Sequence, residues 1–171
     1  MTMQYDVRSA HSSGSGQMVA YRTRLKNLIY QGNGTAGSID IFDTTTAPVS
    51  SSVTYARSGN TVTVTSTSHG LSTGQVIGIT YAAASGSAAV AGNYPITVTN
   101  ANTFTITDIG SGTIASGTAC IYVVNGQFLA SYNTGTAVQP FQVIFSGEGM
   151  KAEKGIYVVT SNITYQTIQY G

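Results

Sequence analysis

Charged side chains are what this sequence has least of: seven Lys and Arg and six Asp and Glu in 171 residues. That is 8%, against about 25% in an ordinary soluble domain. A chain with a net charge of +1 lacks the clustered cations that displace counterions from phosphate, so nucleic acid is not an expected partner. The shortage is not disorder, because disordered chains join low hydrophobicity to high net charge, and 42% of these residues are apolar. Free enzymes rely on surface charge for solubility. Its scarcity here favours a surface covered by neighbours and hydroxyl-rich loops, as in an assembly.

Other absences narrow the chemistry. One cysteine, Cys120, permits no intrachain disulfide, and its setting in Thr118-Ala119-Cys120-Ile121-Tyr122-Val123 reads as a buried strand. A reactive thiol wants nearby cations or a helix N-terminus; a packed small hydrophobe is the expected role. The two histidines, His11 and His69, and the six carboxylates Asp6, Asp40, Asp43, Asp108, Glu148 and Glu153 show no metal-ligand spacing. Neither Gly14-Ser15-Gly16 nor Gly32-Asn33-Gly34 stands between a strand and a helix, so both read as turns rather than phosphate loops. No catalytic, cofactor-binding or metal residue is nominated, no cofactor is expected, and the chain is read as non-enzymatic. The start, Met1-Thr2-Met3-Gln4-Tyr5-Asp6, has no basic segment leading into an apolar core, and no apolar run approaches a membrane span. Neither a secretory signal nor a membrane partner is therefore expected.

What the sequence has in abundance is Thr, Ser, Gly, Tyr and Val, the material of strands joined by tight turns. Helical periodicity is nearly absent, and the fold class is all-β. Gln17 to Tyr30 is a long candidate strand with Met18, Ala20, Leu25 and Ile29 turned inward and a break near Arg22. Within it Arg22, Arg24 and Lys26 recur at period two and would line one face, either as a solvated sheet surface or as a partner-facing basic stripe. Ser38 to Phe42 follows, and Pro48 stops regular pairing.

From Val49 to Val123 only Arg57 and Asp108 are charged. This stretch has its own strand series: 53–56, 61–67, 75–81, 94–100, 103–107 and 118–124, with turns at Ser58-Gly59-Asn60, His69 to Gly74 and Asn100-Ala101-Asn102. Strands at 126–132, 139–145, 155–160 and 163–170 then resume the flanking pattern, and the charged run 147–155 reads as a solvated loop. Strands 38–42 and 126–132 would form a hairpin if the centre were removed. The expected organisation is a jelly-roll-like β-sandwich outer domain, residues 1–48 plus 125–171. A small β-barrel or sandwich module, residues 49–124, is inserted in a hairpin loop of it.

The run from Gly59 through Thr61-Val62-Thr63-Val64-Thr65 to His69-Gly70-Leu71-Ser72-Thr73-Gly74, with Gly92-Asn93-Tyr94 and Thr103-Phe104-Thr105 after it, resembles a β-module frequent in phage tail, baseplate and other virion proteins. That family's pattern is His-Gly-Leu-x-x-Gly-Asp, and this chain departs from it at Gln75. The flanks, Arg22-Thr-Arg-Leu-Lys-Asn-Leu-Ile-Tyr-Gln-Gly32 and Gly155-Ile-Tyr-Val-Val-Thr to Tyr170-Gly171, are similar to small phage-encoded β-sandwich proteins found among virion genes. The resemblance carries over no catalytic residue and gives His69 and Gly70 the role of turn chemistry.

It implies a non-enzymatic virion structural protein, capsid decoration or cement ahead of a tail, baseplate or fibre component, made in the host cytoplasm and resident in the phage particle. The implied partners are the major capsid protein or tail proteins and further copies of this chain, with a trimer favoured. The outer domain would dock on the particle, anchored by the arm Thr2 to Gly16, whose little apolar character suggests ordering against a partner, and the inserted module would project. A host-surface or carbohydrate-binding module is the rival reading, with Tyr81 and Tyr94 lining a shallow site.

Overall fold

The computed structural model describes residues 7–82 and 87–171. Alternation of β-branched and hydroxyl residues yields fourteen strands and, among the described residues, no helix. The first four are β1 (Arg8–Ser12), β2 (Gly16–Val19), β3 (Thr23–Gly32) and β4 (Gly37–Asp43). The middle five are β5 (Thr54–Thr65), β6 (Val76–Tyr81), β7 (Gly92–Pro95), β8 (Thr97–Asn100) and β9 (Thr103–Val124). The last five are β10 (Gln127–Gly135), β11 (Pro140–Ile144), β12 (Met150–Ala152), β13 (Ile156–Ser161) and β14 (Ile163–Tyr170).

The chain divides into two compact units, 1–47 with 129–171 and 48–128, where the sequence reading put 1–48 with 125–171 and 49–124. In the first, two antiparallel-paired sheets face each other as a β-sandwich. One runs β1-β14-β3-β11, with β12 also on β3; the other runs β10-β4-β13-β2. Strands β4 and β10, which flank the 48–128 segment in sequence, are hydrogen-bonded neighbours. Leu25 and Leu28 of β3, Ile39 and Ile41 of β4, Ile156 and Val158 of β13 and Ile168 of β14 are fully buried between the sheets, each contributing about 1.5–3 kcal/mol by leaving water.

The long strand read over 17–30 breaks at 20–22, and its halves belong to different sheets: β2 pairs β13, and β3 pairs β14. A second irregularity lies within β3, where pairing to β14 shifts between Asn27 and Leu25. The extra residue exchanges the strand's faces, so odd-numbered Leu25 and even-numbered Leu28 both reach the core. Ile29, expected inward, is therefore half-buried on the other face. Ala20, also expected inward, is exposed in the crossover, and Val19 takes the buried place.

The N-terminal arm differs from expectation. Its part from Thr2 to Asp6 lies outside the described residues. Arg8–Ser12 pairs with β14 from Tyr170 to Gln166, and the fully buried Gln166 donates through Nε2 to the Gly14 carbonyl at 2.7 Å. Backbone hydrogen bonding, which apolar content does not report, orders this segment on its own chain.

In the 48–128 unit the dominant feature is an antiparallel ribbon of β5 and β9, with β8 beside the start of β9, β6 beside its end and β7 beyond β6. Thr61-Val62-Thr63-Val64-Thr65 lies opposite Thr107 to Thr103; in each strand the Val, Phe or Ile side chains are buried and the threonines alternate outward. Ser58-Gly59-Asn60, read as a turn, does not reverse the chain. Gly59 has φ +62°, and pairing to β9 shifts just after it because β9 carries extra residues at 108–111, so β5 runs on as one continuous strand. For the same reason 103–107 and 118–124, read as separate strands, are the two ends of β9.

Candidate interaction surfaces and buried polar sites

The basic stripe and the charged loop, distant in sequence, form one surface network. β12 arises inside the expected loop and pairs β3 with Lys151 opposite Arg24. Glu148 reaches Arg24 at 2.8 Å, Glu153 reaches Arg22 at 3.1 Å and also contacts Lys151, and Lys26 Nζ donates to the Glu148 carbonyl at 2.7 Å. Lys151, ahead of Arg22, holds the Glu153 carboxyl below its usual range. These side chains are largely open to solvent, where ion pairs add little to stability; the network orients groups more than it stabilises. Behind it the buried Asp43 carboxylate accepts from three successive backbone amides, Glu153 at 2.9 Å, Lys154 at 2.7 Å and Gly155 at 3.1 Å. Asp43 thereby fixes where the strip carrying Lys151 and Glu153 turns back into β13.

In the 48–128 unit the two charges identified in sequence meet each other. Arg57 Nη2 lies 2.6 Å from Asp108 Oδ2, both side chains about 2% exposed or less. Arg57 also donates through Nη1 to the carbonyls of Ser87 at 2.8 Å and Ala88 at 2.7 Å, and through Nε to Gly59 at 3.2 Å. Asp108 accepts from the Val90 amide at 3.3 Å, and the Tyr94 hydroxyl, 3.3 Å from Asp108, donates to the Val90 carbonyl at 2.8 Å. Burial, followed by the Asp108 charge, raises the Tyr94 phenol above its usual range. The pair was legible as the lone opposite charges of an uncharged segment. Because both are buried, no Asp, Glu, Lys or Arg remains on that unit's surface, and the outward groups are hydroxyls such as Thr61, Thr65, Thr97, Thr99 and Thr107.

Tyr94 is buried in this core, and Tyr81 packs against it with its ring 4.7 Å from that of Tyr55; burial pushes the Tyr81 phenol far up. Tyr94 thus faces the core, while Tyr81 is half-buried.

His69 is a turn residue. Its Nδ1 accepts from the Leu71 amide at 3.0 Å while Nε2 lies 3.0 Å from the Asn100 carbonyl, which assigns the proton to Nε2. The ring stands edge-on to Phe104 at 5.4 Å, and Gly70 at φ +64° turns the chain beneath it. His11 pairs through Nδ1 with the Thr167 hydroxyl at 2.9 Å on the outer face of the β1–β14 pair. Cys120 is buried at 1% exposure, and burial pushes its thiol up to about 12. Each of these three residues has its own local role.

A cleft of about 260 Å³ in the sandwich unit is lined by Arg8, Tyr21, Arg22, Thr23, Tyr170 and Gly171. Arg8 donates to the Tyr21 hydroxyl at 3.4 Å, and Tyr21 stands edge-on to Tyr170 at 6.3 Å. Two guanidinium groups and two phenols suit an anionic, carboxylate-type group. No model of a known protein family matches the sequence, and no curated protein is similar to it.

Proposed function

We propose that this chain is a non-enzymatic structural subunit of a bacteriophage particle, present in many copies, with capsid decoration ahead of a tail or baseplate position. The observation that carries the reading is the fate of the charged groups. Arg57 and Asp108 are spent on each other in the core of their unit, Asp43 on three backbone amides, and Glu148 and Glu153 on the basic stripe. Acid and base groups committed in this way serve the fold rather than a reacting substrate. A surface of hydroxyls without charge suits close packing beside neighbours, where unpaired charges would be costly to desolvate.

In this reading the sandwich unit contacts the particle through the strip of Arg22, Arg24, Lys26 and Lys151, whose positive charges outnumber the Glu148 and Glu153 beside them and so fit an acidic surface of the capsid or tail protein. The 48–128 unit is left for a neighbouring subunit or the host surface. The test is re-decoration of phage particles stripped of this chain. The wild-type chain is expected to bind saturably, and Arg24→Glu with Lys26→Glu to lose most of that binding while staying folded. Binding to a glycan array without binding to particles would favour the carbohydrate-binding reading instead.

A further inference from the structure

The turn from Asn33 to Ala36 carries the chain from β3 in one sheet to β4 in the other, and all four of its residues are exposed. The Asn33 side chain folds back along its own backbone, where its Oδ1 accepts from the Thr35 amide at 3.0 Å, the Asx-turn geometry that short polar side chains favour. The turn is tied at both ends. The Asn33 backbone amide donates to the Asn162 carbonyl at 3.0 Å, and Asn162 Nδ2 donates to the Ala36 carbonyl at 2.8 Å.

This arrangement favours attack by the Gly34 amide nitrogen on the Asn33 side-chain carbonyl. Among the described residues that nitrogen donates no hydrogen bond, so none has to break before it reacts, and the Asn33 Nδ2 group that would depart has no partner either. Gly34, at φ +98°, has no Cβ to crowd the approach. The Thr35 N–H on Oδ1 draws electron density from Cγ and stands where a developing oxyanion needs a donor. The same dipeptide recurs at Asn125-Gly126 in a different setting: there the glycine is buried, and Asn125 is held at φ +56°.

We infer that Asn33 is a site of spontaneous covalent modification, at which water converts the side-chain amide into a carboxylate. The Gly34 nitrogen gives its proton to solvent base and bonds to Asn33 Cγ. The Cγ–Nδ2 bond then breaks, and Nδ2 takes a proton from solvent and leaves as ammonia. Water opens the resulting cyclic imide at either carbonyl, giving aspartate or isoaspartate; no oxidant or reductant takes part. The consequence is large for a chain so poor in charge. One new carboxylate cancels the formal net charge of +1, and a protein near zero net charge associates more readily. Isoaspartate also adds a carbon to the main chain between the Asn162 and Ala36 anchors. The inference rests on the geometry of this turn and not on the particle reading.

The test is peptide mapping by mass spectrometry of the full chain aged in mildly alkaline buffer. In the folded protein, aspartate and isoaspartate are expected to accumulate at position 33 at least about tenfold faster than at position 125. In urea, where both Asn-Gly steps are free of the fold, the two rates are expected to converge. Isoelectric focusing of the aged protein is expected to show an acidic form that Asn33→Gln, folded by circular dichroism, does not develop. Asn33 left intact in the folded chain, Asn33 converted no faster than Asn125, or an acidic form that persists undiminished in Asn33→Gln would each overturn the inference. Absence of the chain from virions would leave it standing while refuting the particle reading.

Discussion

Arg57 and Asp108, the only Asp, Glu, Lys or Arg residues of the 48–128 unit, meet in its interior at 2.6 Å. Removing one partner strands a buried charge, a change that costs about 3–5 kcal/mol. Arg57→Met and Asp108→Asn are each expected to destabilise the unit by about that amount. The double variant Arg57→Met with Asp108→Leu is expected to recover much of the loss, because apolar replacement of a whole buried pair is often neutral. Denaturant unfolding of the single and double variants, read as a cycle, gives the coupling.

Cys120 makes the protein labile to alkali. Burial raises its thiol from an ordinary 9.0 to about 12. The neutral form is the one the fold accommodates, so its contribution is complete below pH 9 and is lost as pH rises toward 12. Between those limits the unfolded chain releases a proton that the folded chain retains, and stability falls by about 1.4 kcal/mol per pH unit. Urea midpoints at pH 8 and pH 10 are expected to fall more in the wild type than in Cys120→Ala.

The His69 ring ties its own turn to the backbone at Asn100. His69→Ala removes the acceptor of the Leu71 amide and the group that contacts the Asn100 carbonyl, an expected loss of about 0.5–1.5 kcal/mol. Gly70→Ala forces a side chain to adopt φ +64° and is expected to cost about 1–2 kcal/mol. Thermal unfolding checks both.

Asp43→Asn keeps the shape of the side chain but weakens the charge-assisted bonds to three amides. The expected cost is about 1–3 kcal/mol, with faster hydrogen exchange at Glu153, Lys154 and Gly155. Arg24→Ala, in an exposed pair, is expected to cost less than about 1 kcal/mol. The contrast between the two variants separates the pinning of the loop from the surface charge network above it.

Strand identity was legible wherever residues alternate, as in Thr61 to Thr65 and Thr103 to Thr107, because one face of each strand is buried and the pattern reports it directly. Irregularities were not. Gly59 carries the same local signal whether it closes a turn or sits inside a continuous strand opposite a bulge in β9, and only the pairing to β9 decides. The bulge near Lys26 likewise shifted which of Leu28 and Ile29 is buried. Polar partnerships across long sequence separations were hidden for a different reason: Asp43 with 153–155 and Arg22 with Glu153 depend on where strands dock. Arg57 and Asp108 could have been paired beforehand, since opposite charges isolated in an apolar core can be satisfied mainly by each other.

The most direct test of the particle assignment is the position and copy number of this chain in purified virions, by cryo-electron microscopy with quantitative mass spectrometry. The account predicts symmetry-related copies in large number on the head lattice, with the sandwich unit against the capsid protein. A few copies at the tail would move the assignment to a baseplate, collar or fibre component, and absence from the particle would contradict it.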